Sequence, residues 1–194
     1  KRKNRNGPAR GAGPRTTFPH DRTDESRGDT ALNDIVIDSE RLQALLKDFQ
    51  LLTNMRISFW RPDGQKILTS SSDINSQFCT ELQKKPALQQ ACNNCDTEAL
   101  KIARETKKLY TFICHAGLEE SVYPLVYHDR LLGYLMIGQA RSEDLSPSML
   151  QSFWQHLERH GLKLDELGNL YMRLPYITHE KRTAAIHMLR ALTG

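Results

Sequence analysis

Apolar residues recur at helical spacing in several parts of this chain. The first such stretch has its apolar positions at Leu42, Leu45, Leu46, Phe49 and Leu52. A repeat of three to four residues is typical of an amphipathic helix, and Asp38 or Ser39 can cap its start. The same pattern predicts further helices over residues 78–85, 87–107, 147–160, 165–174 and 178–192.

Runs of β-branched and aromatic residues predict strands between these helices. Residues 56–60 and 66–69 flank the turn-forming run Pro62-Asp63-Gly64 and therefore predict a hairpin. Three more strands are predicted over residues 109–114, 121–127 and 131–139. The last two are joined by a tight turn at residues 128–130.

The order of these elements indicates an α+β domain. Strands that follow one another closely favour an antiparallel sheet, and the helices are expected on one side of it. Gly133 and Gly138 lie inside the last predicted strand. Glycine in a strand indicates a bulge or the close approach of another group, such as a ligand.

The positive charge of the chain is concentrated in its first residues. Residues 1–30 contain eight Lys or Arg and four Asp or Glu, and the other residues contain nineteen of each, so the net charge of +4 comes from this segment. Because Phe18 is its only large apolar residue, the segment is predicted to be a disordered tail or linker. The balanced remainder has no basic footprint for nucleic acid.

No apolar run is long enough to span a bilayer, and no secretory signal precedes the first helix. We therefore expect a cytoplasmic protein that does not enter the membrane. In a reducing compartment, clustered cysteines are more often metal or redox ligands than structural disulfides.

The four cysteines lie close together in the sequence. Cys79, Cys92, Cys95 and Cys114 follow the spacing C-x12-C-x2-C-x18-C, and His115 comes directly after the last one. Such a set can hold Zn²⁺ or an iron–sulfur cluster. The thiols can instead act in redox chemistry or contact a ligand, or pack as small apolar side chains. The spacing leaves these interpretations open.

Motifs of the common enzyme classes do not occur in the sequence. There is no P-loop, no dinucleotide-type glycine pattern, no G-x-S-x-G and no H-E-x-x-H. A Cys114–His115 catalytic pair is disfavoured because neighbouring residues of a strand point to opposite faces. A Cys79–His115 pair remains geometrically open. The sequence therefore favours a binding domain over an enzyme.

Several runs of the chain resemble the PocR sensory-domain family. They are Phe78-Cys79, Cys92 with the region of Asp96, Tyr110-x-x-x-Cys114-His115-Ala116-Gly117-Leu118, Tyr123-Pro124-Leu125-Val126, and Leu132-Gly133-Tyr134 through Gly138-Gln139. The resemblance covers about residues 34–192. It implies a PAS-like α+β fold, an antiparallel sheet with flanking helices, in a cytoplasmic bacterial signalling protein.

The resemblance also implies a ligand and a site. Such domains are thought to sense small hydrocarbon derivatives, for example propanediol. The effector is then expected to contact Phe78, Cys79, Cys114, His115, Gly117, Tyr123 and Gln139. A zinc ion or iron–sulfur cluster would draw its ligands from Cys79, Cys92, Cys95, Cys114 and His115.

A domain organisation follows from the same resemblance. Residues 1–30 are the tail, residues 31–177 the sensory domain, and residues 178–194 a connector helix. Related domains precede AraC-type regulators or histidine kinases, so DNA contact is expected only through an output domain that this chain does not contain. The apolar stripe of the connector suits pairing with a second copy and predicts a homodimer.

Overall fold

A mixed sheet forms the centre of the protein, as seen in a computed structural model that describes residues 38–193 apart from residues 72 and 74. Its strands are β1 (Arg56–Trp60), β2 (Lys66–Thr69), β3 (Tyr110–Ile113), β4 (Glu119–Tyr127), β5 (Arg130–Ser142) and β6 (Tyr176–Ile177). Five strands pair antiparallel in the order β2-β1-β5-β4-β3, and β6 pairs parallel to β5. The predicted tail at residues 1–30 lies outside the described residues.

Six helices surround this sheet in the described part of the chain. They are α1 (Ser39–Thr53), α2 (Gln77–Gln83), α3 (Pro86–Thr106), α4 (Pro147–Arg159), α5 (Leu164–Met172) and α6 (His179–Thr193). Side-chain oxygens of Asp38, Ser76 and Ser146 accept hydrogen bonds from backbone N–H groups in the first turns of α1, α2 and α4. These caps satisfy donors that a helix start otherwise leaves unpaired, which explains where these helices begin.

The helices pack on both faces of the sheet. Leu135 and Ile137 of β5 face a core formed with α1 and α6, whereas Tyr134 and Met136 face a core formed with α3. This alternation follows from the two-residue period of a strand. The predicted α+β class with an antiparallel sheet and flanking helices is confirmed, but the expectation of helices on one side is wrong, since β5 is apolar on both faces.

A third core lies beside the sheet and joins α2, α3, α4 and α5. Its most buried members include Phe78, Leu82, Leu88, Leu118 and Leu157. The aromatic rings of Phe78, Trp154 and Tyr171 pack edge to face within it. This core fixes α2 and the start of α3 against the turn that follows β3.

The tight turn between β4 and β5 is confirmed. His128 and Asp129 have φ angles of 44° and 63°, the left-handed conformation that a two-residue hairpin turn requires. The predicted final helix is also confirmed as α6, but Ala185 and Leu189 of its apolar stripe are buried against the sheet. Pairing of a second copy along this helix stays a prediction. Within the described residues, no helix has the length and apolar character to cross a membrane.

Candidate functional site

A cavity of about 190 Å³ lies between the α3 face of the sheet and helices α2 and α3. Its polar lining includes Arg56, Ser58, Lys66, Thr69, Asn75, Gln83, Asn93, Asp96, Glu120 and Gln139. Three thiols also reach it, those of Cys79, Cys92 and Cys114. A second, more open cavity of about 560 Å³ shares Trp60, Asn93 and Asp96 with the first.

Two carboxyl groups face the cavity from opposite walls. Asp96 comes from α3 and Glu120 from β4, and neither has a hydrogen-bond partner within the described part of the chain. Burial, and after it the nearby Asp96, raise the pKa of Glu120 to about 8. Burial also raises the pKa of Asp96 to about 6, while the Lys66 ammonium lowers both pKa values. Both shifts favour the protonated acids, and near neutral pH Glu120 is the member of the pair that keeps its proton.

Gly138 of β5 makes room for the Glu120 side chain. A Cβ atom at this position would lie 2.6 Å from Cγ and 3.0 Å from Cα of Glu120. The predicted close approach at Gly138 is thus made by a carboxylate-bearing side chain of the protein itself. At Gly133 an added Cβ would lie 2.5 Å from the carbonyl oxygen of Trp60, so that glycine is required by backbone packing.

The thiols of Cys79 and Cys114 are held in a neutral state. Cys79 sits on α2 and Cys114 follows β3, and both are at most 8% exposed. Burial raises the pKa of Cys79 to about 12 and that of Cys114 well above its ordinary value. As protonated thiols they give the cavity an apolar, polarisable wall.

The thiol of Cys92 has a different environment, because an imidazole lies behind it. Its Sγ atom is 3.1 Å from Nε2 of His115. Nδ1 of the same ring is buried and has no hydrogen-bond partner in the described structure. Burial, together with His156 and His160, lowers the pKa of His115 to about 4, so this imidazole is neutral at physiological pH.

A chain of amides frames the other end of the cavity. Oε1 of Gln139 accepts a 2.6 Å hydrogen bond from the backbone N–H of Ser76, and its Nε2 donates to Oδ1 of Asn75 at 3.0 Å. Asn75 in turn donates to Gln83 of α2 at 2.8 Å. These contacts fix the loop before α2 against β5.

The structure brings together four of the residues that the sequence predicted for the site. Cys79, Cys92, Cys114 and Gln139 line the cavity. The other predicted residues Phe78, Cys95, His115, Gly117 and Tyr123 do not appear among its lining residues.

Each of these five residues has a different setting. Phe78 is 1% exposed inside the third core, and Tyr123 packs against the core on the opposite face of the sheet. Gly117, with a φ of 76°, allows the turn after β3 to pass close to Phe153. The Cys95 thiol lies near the backbone of His115, which lowers its pKa, while burial raises it. Only His115 is linked to the cavity, through Cys92.

The predicted metal centre gains no support from this arrangement. Among the residues that the structure describes, no group of three or more His, Cys, Asp or Glu side chains is placed so that it could hold a metal ion. All four cysteines are free thiols. A zinc or iron–sulfur site, and a redox role of the thiols, stay predictions, and metal analysis of anaerobically purified protein tests them.

The sequence interpretation missed the charged residues of the cavity. Asp96 follows Cys92 by one helical turn, on the face that carries Ala99 and Ala103, and an acid on an apolar stripe was the available signal. Glu120 was missed because the strand was predicted to begin at residue 121, whereas β4 begins at Glu119. Arg56 and Lys66 lie on predicted strands, where charged side chains are expected to face solvent.

Comparison with known proteins gives a match to a protein-family model. Residues 35–194 match the family model described as the sensory domain found in PocR. Searches of curated proteins and of solved structures find no match. The matched region includes every residue of the cavity.

Proposed function

The chain belongs to the family of PocR sensory domains, and on that premise we propose that it binds a small hydroxylated or carbonyl effector in the cavity beside α3. The observation that carries the proposal is the pair of carboxyl groups, Asp96 and Glu120, which face the cavity without hydrogen-bond partners in the described residues. Buried polar groups are normally paired, so unpaired ones around a cavity favour a ligand or ordered water as their partner.

The chemistry of the walls favours a neutral ligand. Asp96 offers a hydrogen-bond acceptor, and Glu120, with a pKa of about 8, offers a donor near neutral pH. Lys66 and Arg56 add positive charge, so that neither an anion nor a cation is clearly preferred. A diol or alcohol can both donate and accept, and an aldehyde can accept.

The size of the cavity favours a ligand of few atoms. Its volume of about 190 Å³ is below the roughly 300–1,000 Å³ of typical ligand pockets. The thiols of Cys79 and Cys114 supply apolar contact for a short carbon chain. Diols, alcohols and aldehydes of about three carbons satisfy both limits. In this proposal the domain binds and reports its effector and is not an enzyme.

The proposal includes a route from the cavity to α6. Glu120 faces the cavity. Its neighbour Glu119 forms a 2.8 Å ion pair with Arg182 of α6 on the other side of the sheet. A ligand that changes the position of Glu120 acts on the peptide unit that both residues share. A ligand that binds better when the Glu119–Arg182 ion pair has one arrangement than when it has another shifts the population towards that arrangement, and with it the position of α6.

Thermal unfolding and calorimetry test the proposal with 1,2-propanediol, 1,3-propanediol, 1-propanol and propanal. At a ligand concentration about 100 times Kd, binding to the folded state adds about 2.7 kcal/mol of stability. Asp96→Asn should weaken binding at least tenfold, whereas the matched control Asp129→Asn, in the exposed turn between β4 and β5, should leave it unchanged. Absence of binding by all four compounds, or equal binding by both variants, would contradict the proposal.

A further inference from the structure

One cavity thiol is placed as a nucleophile. Cys92 lines the cavity, and its Sγ lies 3.1 Å from Nε2 of His115, which is behind the thiol and outside the lining. A thiol with an imidazole within hydrogen-bond reach is the arrangement that activates cysteine for addition to a carbonyl carbon. The sequence left a Cys79–His115 pair geometrically open, but in the structure the thiol within hydrogen-bond distance of His115 is that of Cys92.

We propose that Cys92 captures a small aliphatic aldehyde in the cavity as a reversible hemithioacetal. This inference rests on the proposed function, because the aldehyde occupies the same cavity as the effector. Sγ of Cys92 forms a bond to the carbonyl carbon, and the π bond of the carbonyl group breaks. The thiol proton passes to His115 and from there, or through the cavity, to the former carbonyl oxygen, which becomes a hydroxyl group. The addition consumes no oxidant, reductant or further reactant.

The other cysteines lack this combination of features. Cys79 and Cys114 line the cavity, but they are 7% and 8% exposed, and among the described residues neither thiol is hydrogen-bonded to an imidazole ring. Cys95 is half-buried and lies against the backbone of His115, outside the cavity lining. Only Cys92, among the described cysteines, has both access to the cavity and an imidazole in contact.

The Cys92–His115 pair is uncharged at rest, which disfavours reaction of the thiol before a carbonyl compound is bound. Burial raises the pKa of Cys92 to about 11, and burial with the neighbouring histidines lowers the pKa of His115 to about 4, so the resting pair is a neutral thiol and a neutral imidazole. A thiolate then forms only as the C–S bond forms. Glu120 lies close enough for its charge to act on Cys92, and in its protonated state it can donate to the developing hydroxyl oxygen.

The test uses propanal labelled with ¹³C at its carbonyl carbon, observed by NMR with the full chain. A hemithioacetal carbon resonates apart from both the free aldehyde and its hydrate. We expect this resonance in the wild-type protein and its loss in both Cys92→Ser and Cys92→Ala. The matched control is Cys95→Ser, which removes a half-buried thiol outside the cavity and should keep the resonance. His115→Gln should slow adduct formation by about 10²-fold, because it removes the proton acceptor.

1-Propanol, which has the same carbon chain and no carbonyl group, separates the two proposals. Binding of 1-propanol without a protein adduct of propanal would overturn this inference and leave the proposed function intact. Binding of neither compound would count against the proposed function as well. An adduct that survives in both Cys92 variants, or that disappears in Cys95→Ser, would also overturn the assignment to Cys92. Far-UV circular dichroism of each variant shows whether it is folded.

Discussion

Two neighbouring glutamates of β4 have opposite environments. Glu119 is 3% exposed on the face covered by α6, where its Oε2 accepts hydrogen bonds from Arg182 and from the hydroxyl of Ser142. Glu120 lies on the other face, beside the acidic Asp96 and without a hydrogen-bond partner in the described part of the chain. One peptide bond thus separates a carboxylate that has a counter-charge, although its Oε1 is buried without a hydrogen bond in the described structure, from a carboxyl group that has neither an ion pair nor a hydrogen bond there.

The difference between them distinguishes a structural charge from one that is open to a ligand. Arg182 is the counter-charge of Glu119, and it also pairs with Asp144 at 2.8 Å, so that α6 is tied to the end of β5. Glu120 instead has Lys66 as a nearby cation, which Asp96 shares. A buried acid that the fold leaves without a close partner costs stability, and a ligand can recover that cost.

Removal of Arg182 should have the largest effect on this comparison. Arg182→Met leaves Glu119 buried without its counter-charge, with only the Ser142 hydroxyl as a hydrogen-bond donor, and we expect a loss of about 3 kcal/mol in the free energy of unfolding, measured by urea denaturation. Arg190→Met, an exposed position of the same helix, should change stability by less than about 0.5 kcal/mol. The double variant Glu119→Gln with Arg182→Met should recover part of the loss, and full additivity of the two changes would contradict the pairing.

A methyl group at Gly138 should have an intermediate effect on the opposite face. Gly138→Ala places Cβ within 3.0 Å of three atoms of Glu120, including its Cα. We expect destabilisation of about 1–3 kcal/mol from overpacking, together with weaker effector binding. Gly168→Ala is the matched control, since Gly168 lies in α5 with nothing within 4 Å of the added atom, and it should stabilise the protein by about 0.5–1 kcal/mol. If both substitutions changed the free energy of unfolding equally, the Glu120 side chain would have moved away from the added methyl group at no cost, which would contradict this prediction.

The pH dependence of stability should give the smallest effect and the clearest contrast. The pKa of Glu120 is about 8 in the folded protein against 4.5 ordinarily, so the folded state binds more protons between these values and stability falls as pH rises. Asp96, with a pKa of about 6, acts in the same direction at lower pH. His115 acts in the opposite direction, because its lowered pKa makes stability rise between about pH 4 and 6.5.

Between pH 6.5 and 8, Glu120 is therefore the largest of these three contributions to the pH dependence of stability. Across this range the wild-type protein should lose about 1 kcal/mol of stability, within the limit of about 1.4 kcal/mol per pH unit for one group. Glu120→Gln should remove this slope. Glu119→Gln should lower stability at every pH and keep the slope. The measurement is a series of urea titrations between these pH values, and identical slopes in the two variants would contradict the assignment.

Most elements of the fold could be predicted because their signals are local. The cap Asp38, the turn after β1 and the turn at His128 are all defined within a few residues. The two-residue strand β6 could not be found, since its pairing with Arg141 and Ser142 comes from tertiary contact alone. Burial of α6 against the sheet depends equally on distant residues.

The candidate site was only partly accessible from the sequence. Spacing identified the cysteines, but it treated Cys92 and Cys95 as equivalent, whereas the turn of α3 directs the first to the cavity and leaves the second outside its lining. The acids Asp96 and Glu120 come from elements that only the fold brings together. Which of two adjacent glutamates faces the cavity depends on strand pleat and register, and no local pattern encodes that choice.

The pleat of β4 also limits how this domain can evolve. Substitutions at either glutamate change one side of the sheet at a time, because the two side chains project in opposite directions. Loss or gain of a single residue just before Glu119 would exchange the two faces of the strand. The carboxylate that pairs with Arg182 would then lie on the cavity face, near the thiols. Homologous strands are therefore expected to diverge in composition while conserving their length.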